Sequence, residues 1–72
     1  MKLEHITWLD STGYDGWHEP DDSIDVRCNS VGWVTAENEV SITLTGHINV
    51  GSGLHHADLC IPKCAIIERR EM

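Results

Sequence analysis

The stretch LHHADLCIPKC, residues 54–64, places two histidines and two cysteines within ten positions. Imidazole and thiolate are common ligands of zinc, so a metal site is the first chemistry to weigh. Ligands of one zinc ion lie about 2.0–2.3 Å from it, hence within roughly 4 Å of one another. On a helix, His56 and Cys60 would share a face and meet that condition. Pro62 and the Gly51-Ser52-Gly53 run oppose a helix through this stretch. On a strand the same two residues share a face but stand about 13 Å apart at ~3.3 Å per residue, too far for one ion. Cys60 and Cys64 bracket a turn and could approach, with Cys28 or His55 completing a set, but Cys-x-x-x-Cys is not the spacing of a zinc ribbon or knuckle. The expectation is therefore the end of a small β-domain. Leu59 and Ile61 lie in a strand, Pro62-Lys63-Cys64 form a one-turn 3₁₀ link, and Ala65-Ile66-Ile67 open the last strand. The thiols then act as small apolar packing residues. No cofactor is expected, and zinc on Cys60, Cys64, Cys28 or His55 is the alternative.

The acidic residues Asp10, Asp15, Asp21, Asp22 and Asp25 lack the D-x-[DN]-x-[DN]-G alternation of a calcium loop and read as a solvated acidic loop. Ser52 lies between glycines in VGSGL, which does not match the G-x-S-x-G elbow, and a chain of this size offers little depth for an oxyanion hole. With five histidines and three cysteines, a thiol–imidazole pair can be drawn on paper at no cost, so it carries little. No enzyme activity is expected. Tyr14 and Trp17 are more telling, since large aromatics in a polar loop are favoured anchors at interfaces. Trp17 can equally fold back as a lid on the core, whereas Tyr14 is expected to be exposed.

The elements that must position these residues are β-strands. In EVSITLTGHINV, Val40, Ile42, Leu44, Ile48 and Val50 alternate with polar residues over a dozen positions, and Gly46 interrupts the apolar face. LEHITWLD puts Ile6 and Trp8 on one face. IDVRCNSVGWVTA begins with Ile24, Val26 and Cys28 on one face; a bulge near Ser30-Val31, or a kink at Gly32, then lets Val31 and Trp33 continue the apolar series. AENE, residues 36–39, reads as a turn, and CAIIERR as a last strand with Ile66 or Ile67 inward. Residues 10–25 read as a long acidic loop, of a length that in compact domains is usually functional or mobile. NVGSGLHHAD is a second, Gly-rich connection. The expected fold is all-β, a single domain over residues 1–72 forming a five-stranded SH3-like barrel with a 3₁₀ turn before the last strand.

Length and charge limit the function classes. Seventy-two residues make one small domain, for which burial in a homo-oligomer would enlarge a thin core. The net charge is −7, and the sole basic cluster, Arg69-Arg70, is flanked by Glu68 and Glu71, so direct nucleic-acid binding is not expected. MKLEHITWLD has no signal-peptide pattern, and no stretch approaches the ~20 apolar residues of a membrane span. An odd number of cysteines without a secretory signal points to reduced thiols and a cytoplasmic setting.

The pieces ITWLDSTGYDGW, SVGWVTAENEVSITL and IPKCAIIERREM, about half of the chain, carry a resemblance. They are similar to a group of short uncharacterised proteins of tailed bacteriophages and prophages. In that group a W-x-D-S start, a Gly-Trp loop, an S-V-G-W/Y-x-x-x-E centre and an I-P-K-x-A-I ending recur in this order. The resemblance implies the cytoplasm of an infected or lysogenic bacterium and brings no catalytic residues. The A-L-Y-D-Y motif and proline-groove aromatics of eukaryotic SH3 domains are missing. Three readings from different classes follow. The first is a non-enzymatic module that binds a host or phage protein through Tyr14, Asp15, Trp17, Asp21 and Asp22. The second is a counter-defence protein that sequesters a small host ligand, such as a nucleotide signal, at an oligomer interface, using Gly51, Ser52, Gly53 and Arg27 or Arg69. A zinc-stabilised domain is the third.

Overall fold

The computed structural model describes residues 1–10 and 26–72. They form five strands, β1 (Leu3–Asp10), β2 (Val26–Glu37), β3 (Ser41–Ile48), β4 (His55–Pro62) and β5 (Ile66–Glu71), with a 3₁₀ turn, Lys63–Ala65, between the last two. The fold is all-β, and the 3₁₀ turn before the last strand falls where the Pro62-led link was expected. The strands make one antiparallel sheet in the order β4-β3-β2-β1-β5. The chain meanders through the sheet from β1 to β4, then returns so that β5 lies along the other side of β1. The hydrogen-bonded ladder ends at β4 and β5 and is not closed.

Period-two alternation sets the inner face. Ile6, Trp8, Ile42, Leu44 and Ile61 form the buried core, and Cys28, Val34, Ala65 and Ile66 pack partly against it. Trp8 keeps its ring in the core because its indole N–H donates to Ser30 Oγ at 3.0 Å, which removes the cost of a buried unpaired donor. Of the two candidates in β5, Ile66 is the one packed against the core, while Ile67 is 47% exposed. The alternation in residues 39–50 runs past its strand at both ends. Val40 and Val50 lie outside β3, and both are exposed.

β2 departs from the expected register. Its pairing with β1 runs unbroken from Leu3↔Trp33 to Asp10↔Val26, with no bulge at Ser30-Val31. Parity therefore never shifts: Cys28, Ser30, Gly32 and Val34 stay on the inner face, and Val31 and Trp33 are turned outward, 54% and 38% exposed. The physical reason lies at Gly32. A Cβ there would stand 3.0 Å from both Leu44 Cβ and the Thr45 carbonyl oxygen, so β3 crosses too closely for a side chain. A polar Ser30 and a bare Gly32 thus occupy inner positions that hydrophobicity alone would give to Val31 and Trp33. The irregularity in β2 comes later, between Val34 and Ala36, in the ladder with β3.

An ionic cluster ties four elements together at one end of the core. Arg69 Nε and Nη2 donate to the two carboxylate oxygens of Glu4, each at 2.9 Å. The same guanidinium donates to Glu37 at 3.0 and 3.2 Å, and Lys63 Nζ lies 2.7 Å from Glu37. Glu4 is buried, and two parallel N–H···O bonds from one guanidinium are the geometry that compensates a carboxylate for lost water. The cluster links β1, β5, the end of β2 and the 3₁₀ turn.

Candidate binding surface

The outer face of the sheet carries the residues not absorbed by the core. Trp33 sits there between Leu3 of β1 and Thr45 of β3. Thr45 is fully buried, and its hydroxyl donates to Asp58 Oδ1 at 2.9 Å and lies 2.9 Å from the Thr35 hydroxyl. This polar chain ties β2, β3 and β4 together beside Trp33, the cross-strand partner of Thr45. An open recess of about 340 Å³ is lined by Met1, Trp33, Ile48 and Val50. Met1 is 75% exposed and Val50 97% exposed, so these apolar groups face water. A partly exposed Trp among exposed aliphatic groups is the composition of an interface anchor.

Tyr14, Asp15, Trp17, Asp21 and Asp22, expected to bind a protein, lie outside the described residues. The chain enters that stretch at Asp10 and leaves it at Val26, which are cross-strand partners. Trp33 pairs at the opposite end of the same ladder, seven residues away, or about 23 Å at ~3.3 Å per residue. The strand ends at Asp10 and Val26 and the Trp33 recess are therefore two separate places on the sheet.

Gly51, Ser52 and Gly53 form the β3–β4 turn, and their amides point into it. Asn49 Oδ1 accepts from Gly51 N–H at 3.0 Å and from Ser52 N–H at 3.1 Å, while the Asn49 carbonyl accepts from Gly53 N–H at 2.7 Å. Gly53 has φ +77°, which suits glycine. Donors arranged this way stabilise the turn and are not aimed at an external phosphate. Arg27 is exposed on β2 opposite Leu9, and Arg69 belongs to the ionic cluster.

The candidate metal ligands are spread over both faces. Cys28 is an inner-face residue opposite Trp8, Cys60 stands opposite Thr43, His55 opposite Ile48, and Cys64 lies in the 3₁₀ turn. All three thiols are free. Only Cys28 serves as a packing residue; Cys60 and Cys64 are exposed, which corrects their expected role. For Cys60 the reason is parity, because Leu59 and Ile61 take the inner positions of β4. Among the described residues, no group of three His, Cys, Asp or Glu side chains is placed to share an ion.

Hydrogen bonds from Arg69 lower the Glu4 carboxyl below its ordinary value, against the opposing effect of burial. Hydrogen bonds from Arg69 and then Lys63 hold Glu37 at about 2. Both acids are thus structural anions, and neither is poised to exchange protons near neutral pH.

Sequence reasoning missed two features, the recess beside Trp33 and an outer-face cross-strand histidine pair, His47 and His56. The parity of Cys28, Ser30, Gly32 and Val34, read without forcing Val31 and Trp33 inward, carries the first. The second requires the hairpin register. Compared with family models, curated proteins and solved structures, the chain matches none of them. No helix among the described residues is long and apolar enough to cross a membrane.

Proposed function

We propose that this chain is an accessory protein of a tailed bacteriophage or prophage, without catalytic activity of its own, that binds a host or phage protein in the bacterial cytoplasm. The observation that carries the reading is the water-facing apolar recess of Met1, Trp33, Ile48 and Val50 on an otherwise strongly acidic chain. Trp33 supplies the anchor there. Tyr14, Asp15, Trp17, Asp21 and Asp22 supply a second, acidic contact, suited to a partner with a basic patch. In this reading the sheet curls into an SH3-like barrel. The Arg69 bridge from β5 to Glu37 at the end of β2 supports that, since it draws together by side chains the two strands that flank β1.

The alternative, sequestration of a small nucleotide signal by Gly51-Ser52-Gly53, draws less support because the amides of that turn are taken up by Asn49. The experiment is site-specific photo-crosslinking in phage-infected cells, with the crosslinker at position 33 and, separately, at position 14. A single host or phage protein with a basic surface should be captured at one or both positions, and capture should fall when Asp15, Asp21 and Asp22 are changed to Asn. No adduct at either position, together with a native mass spectrum showing a multimer that retains a small molecule, would overturn the proposal in favour of sequestration.

A further inference from the structure

We propose that His47 and His56 form a two-histidine chelate for a divalent transition-metal ion, with nickel, copper and zinc as the fitting class. The two residues are direct cross-strand partners in the β3–β4 ladder, so their side chains rise from one face of the sheet. Their ring centroids are 5.6 Å apart with the planes tilted by 47°. An ion bound to both rings sits about 3.2 Å from each centroid, from a metal–nitrogen bond of ~2.1 Å plus roughly 1.1 Å of ring. Bond angles between about 90° and 140° at such an ion place the centroids roughly 4.5–6 Å apart, and the observed separation falls within that span.

Both histidines are exposed, and among the described residues neither ring is held in a hydrogen bond or ion pair. Asp58, next along the same face of β4, accepts from Thr45, so it is not counted as a ligand. Imidazole nitrogens suit zinc, copper and nickel, whereas calcium and magnesium prefer oxygen donors. Two protein ligands are fewer than the four of a structural zinc centre, so the remaining positions stay open to water or an exchangeable ligand. The net charge of −7 attracts cations toward the surface. The site differs from a set built on Cys60, Cys64, Cys28 or His55, because it needs no thiol and lies wholly on the β3–β4 hairpin.

The test titrates Ni²⁺ alone into the full chain, with thiols kept reduced by a phosphine, read by calorimetry and native mass spectrometry. One ion should bind, and His47→Ala and His56→Ala should each weaken it at least tenfold. His55→Ala, Cys60→Ser and Cys64→Ser should leave the affinity within about twofold. As a second readout, Ni²⁺ should raise the melting temperature of the unaltered protein and not that of His47→Ala, since the ion clips two strands of the folded state. An unchanged affinity in His47→Ala, or an equal loss in His55→Ala or a thiol variant, would overturn the assignment.

Discussion

Replacing Arg69 with methionine keeps much of the stem's packing and removes the cation that serves two carboxylates. The Glu4 side chain is only 7% accessible, and Arg69 provides both of its strong hydrogen bonds. Removing one partner of a buried ion pair costs about 3–5 kcal/mol, because the other charge is stranded. The Arg69 side chain is 33% exposed, so solvent screens part of this, and about 2–3 kcal/mol is the expected loss at neutral pH. For a domain of this size that corresponds to a melting temperature lower by roughly 10–20 °C.

The loss should also depend on pH. In the intact protein the folded-state values of Glu4 and Glu37 are depressed, Glu37 to about 2, from an ordinary 4.5. Their contribution is fully present above pH 4.5 and is lost as pH falls through the lowered values. In Arg69→Met the stranded Glu4 feels burial without its compensating cation and takes up a proton more readily than before. The difference in stability between the two proteins should therefore be largest at pH 7 and less than about half as large near pH 3. Urea unfolding at both pH values measures it. Arg69→Lys should fall between the two, keeping the charge but not the bidentate fork. A stability difference that does not change with pH, or one below about 0.5 kcal/mol at pH 7, would refute the assignment of Glu4 as a buried, Arg-compensated anion.

Gly32→Ala should cost about 1–3 kcal/mol in urea unfolding, since its Cβ would stand 3.0 Å from the backbone of β3, whereas Gly46→Ala, with its nearest neighbour at 3.5 Å, should stay within about 0.5 kcal/mol. Ala57 has φ +63° within β4, so Ala57→Gly should gain about 0.5–1 kcal/mol and raise the melting temperature, the reverse of the usual effect of glycine in a strand. Trp8→Ala should cost about 3–5 kcal/mol, and Trp33→Ala much less in stability while reducing crosslinking to the partner. Under native conditions an alkylating reagent followed by mass spectrometry should modify Cys60 and Cys64 well before Cys28, which packs against the core.

Local sequence determined the strands and most of the core. β-Branched alternation needs no knowledge of the partner strand, so Ile6, Trp8, Ile42, Leu44 and Ile61 were legible from their spacing, as was the 3₁₀ turn after Pro62. The outward side of β2 was not legible. Val31 and Trp33 are more hydrophobic than their neighbours Ser30 and Gly32, and only the approach of Leu44 and Thr45 to Gly32 explains why they face water. Tertiary structure alone decided the polar contacts as well. Glu4 and Arg69 lie at opposite ends of the chain, and they meet because β5 returns to pair with β1. His47 and His56 meet because the β3–β4 register places them directly opposite each other. A side chain's own strand gives it a face by period two, but its neighbours on that face come from pairings that bring distant segments of the chain together.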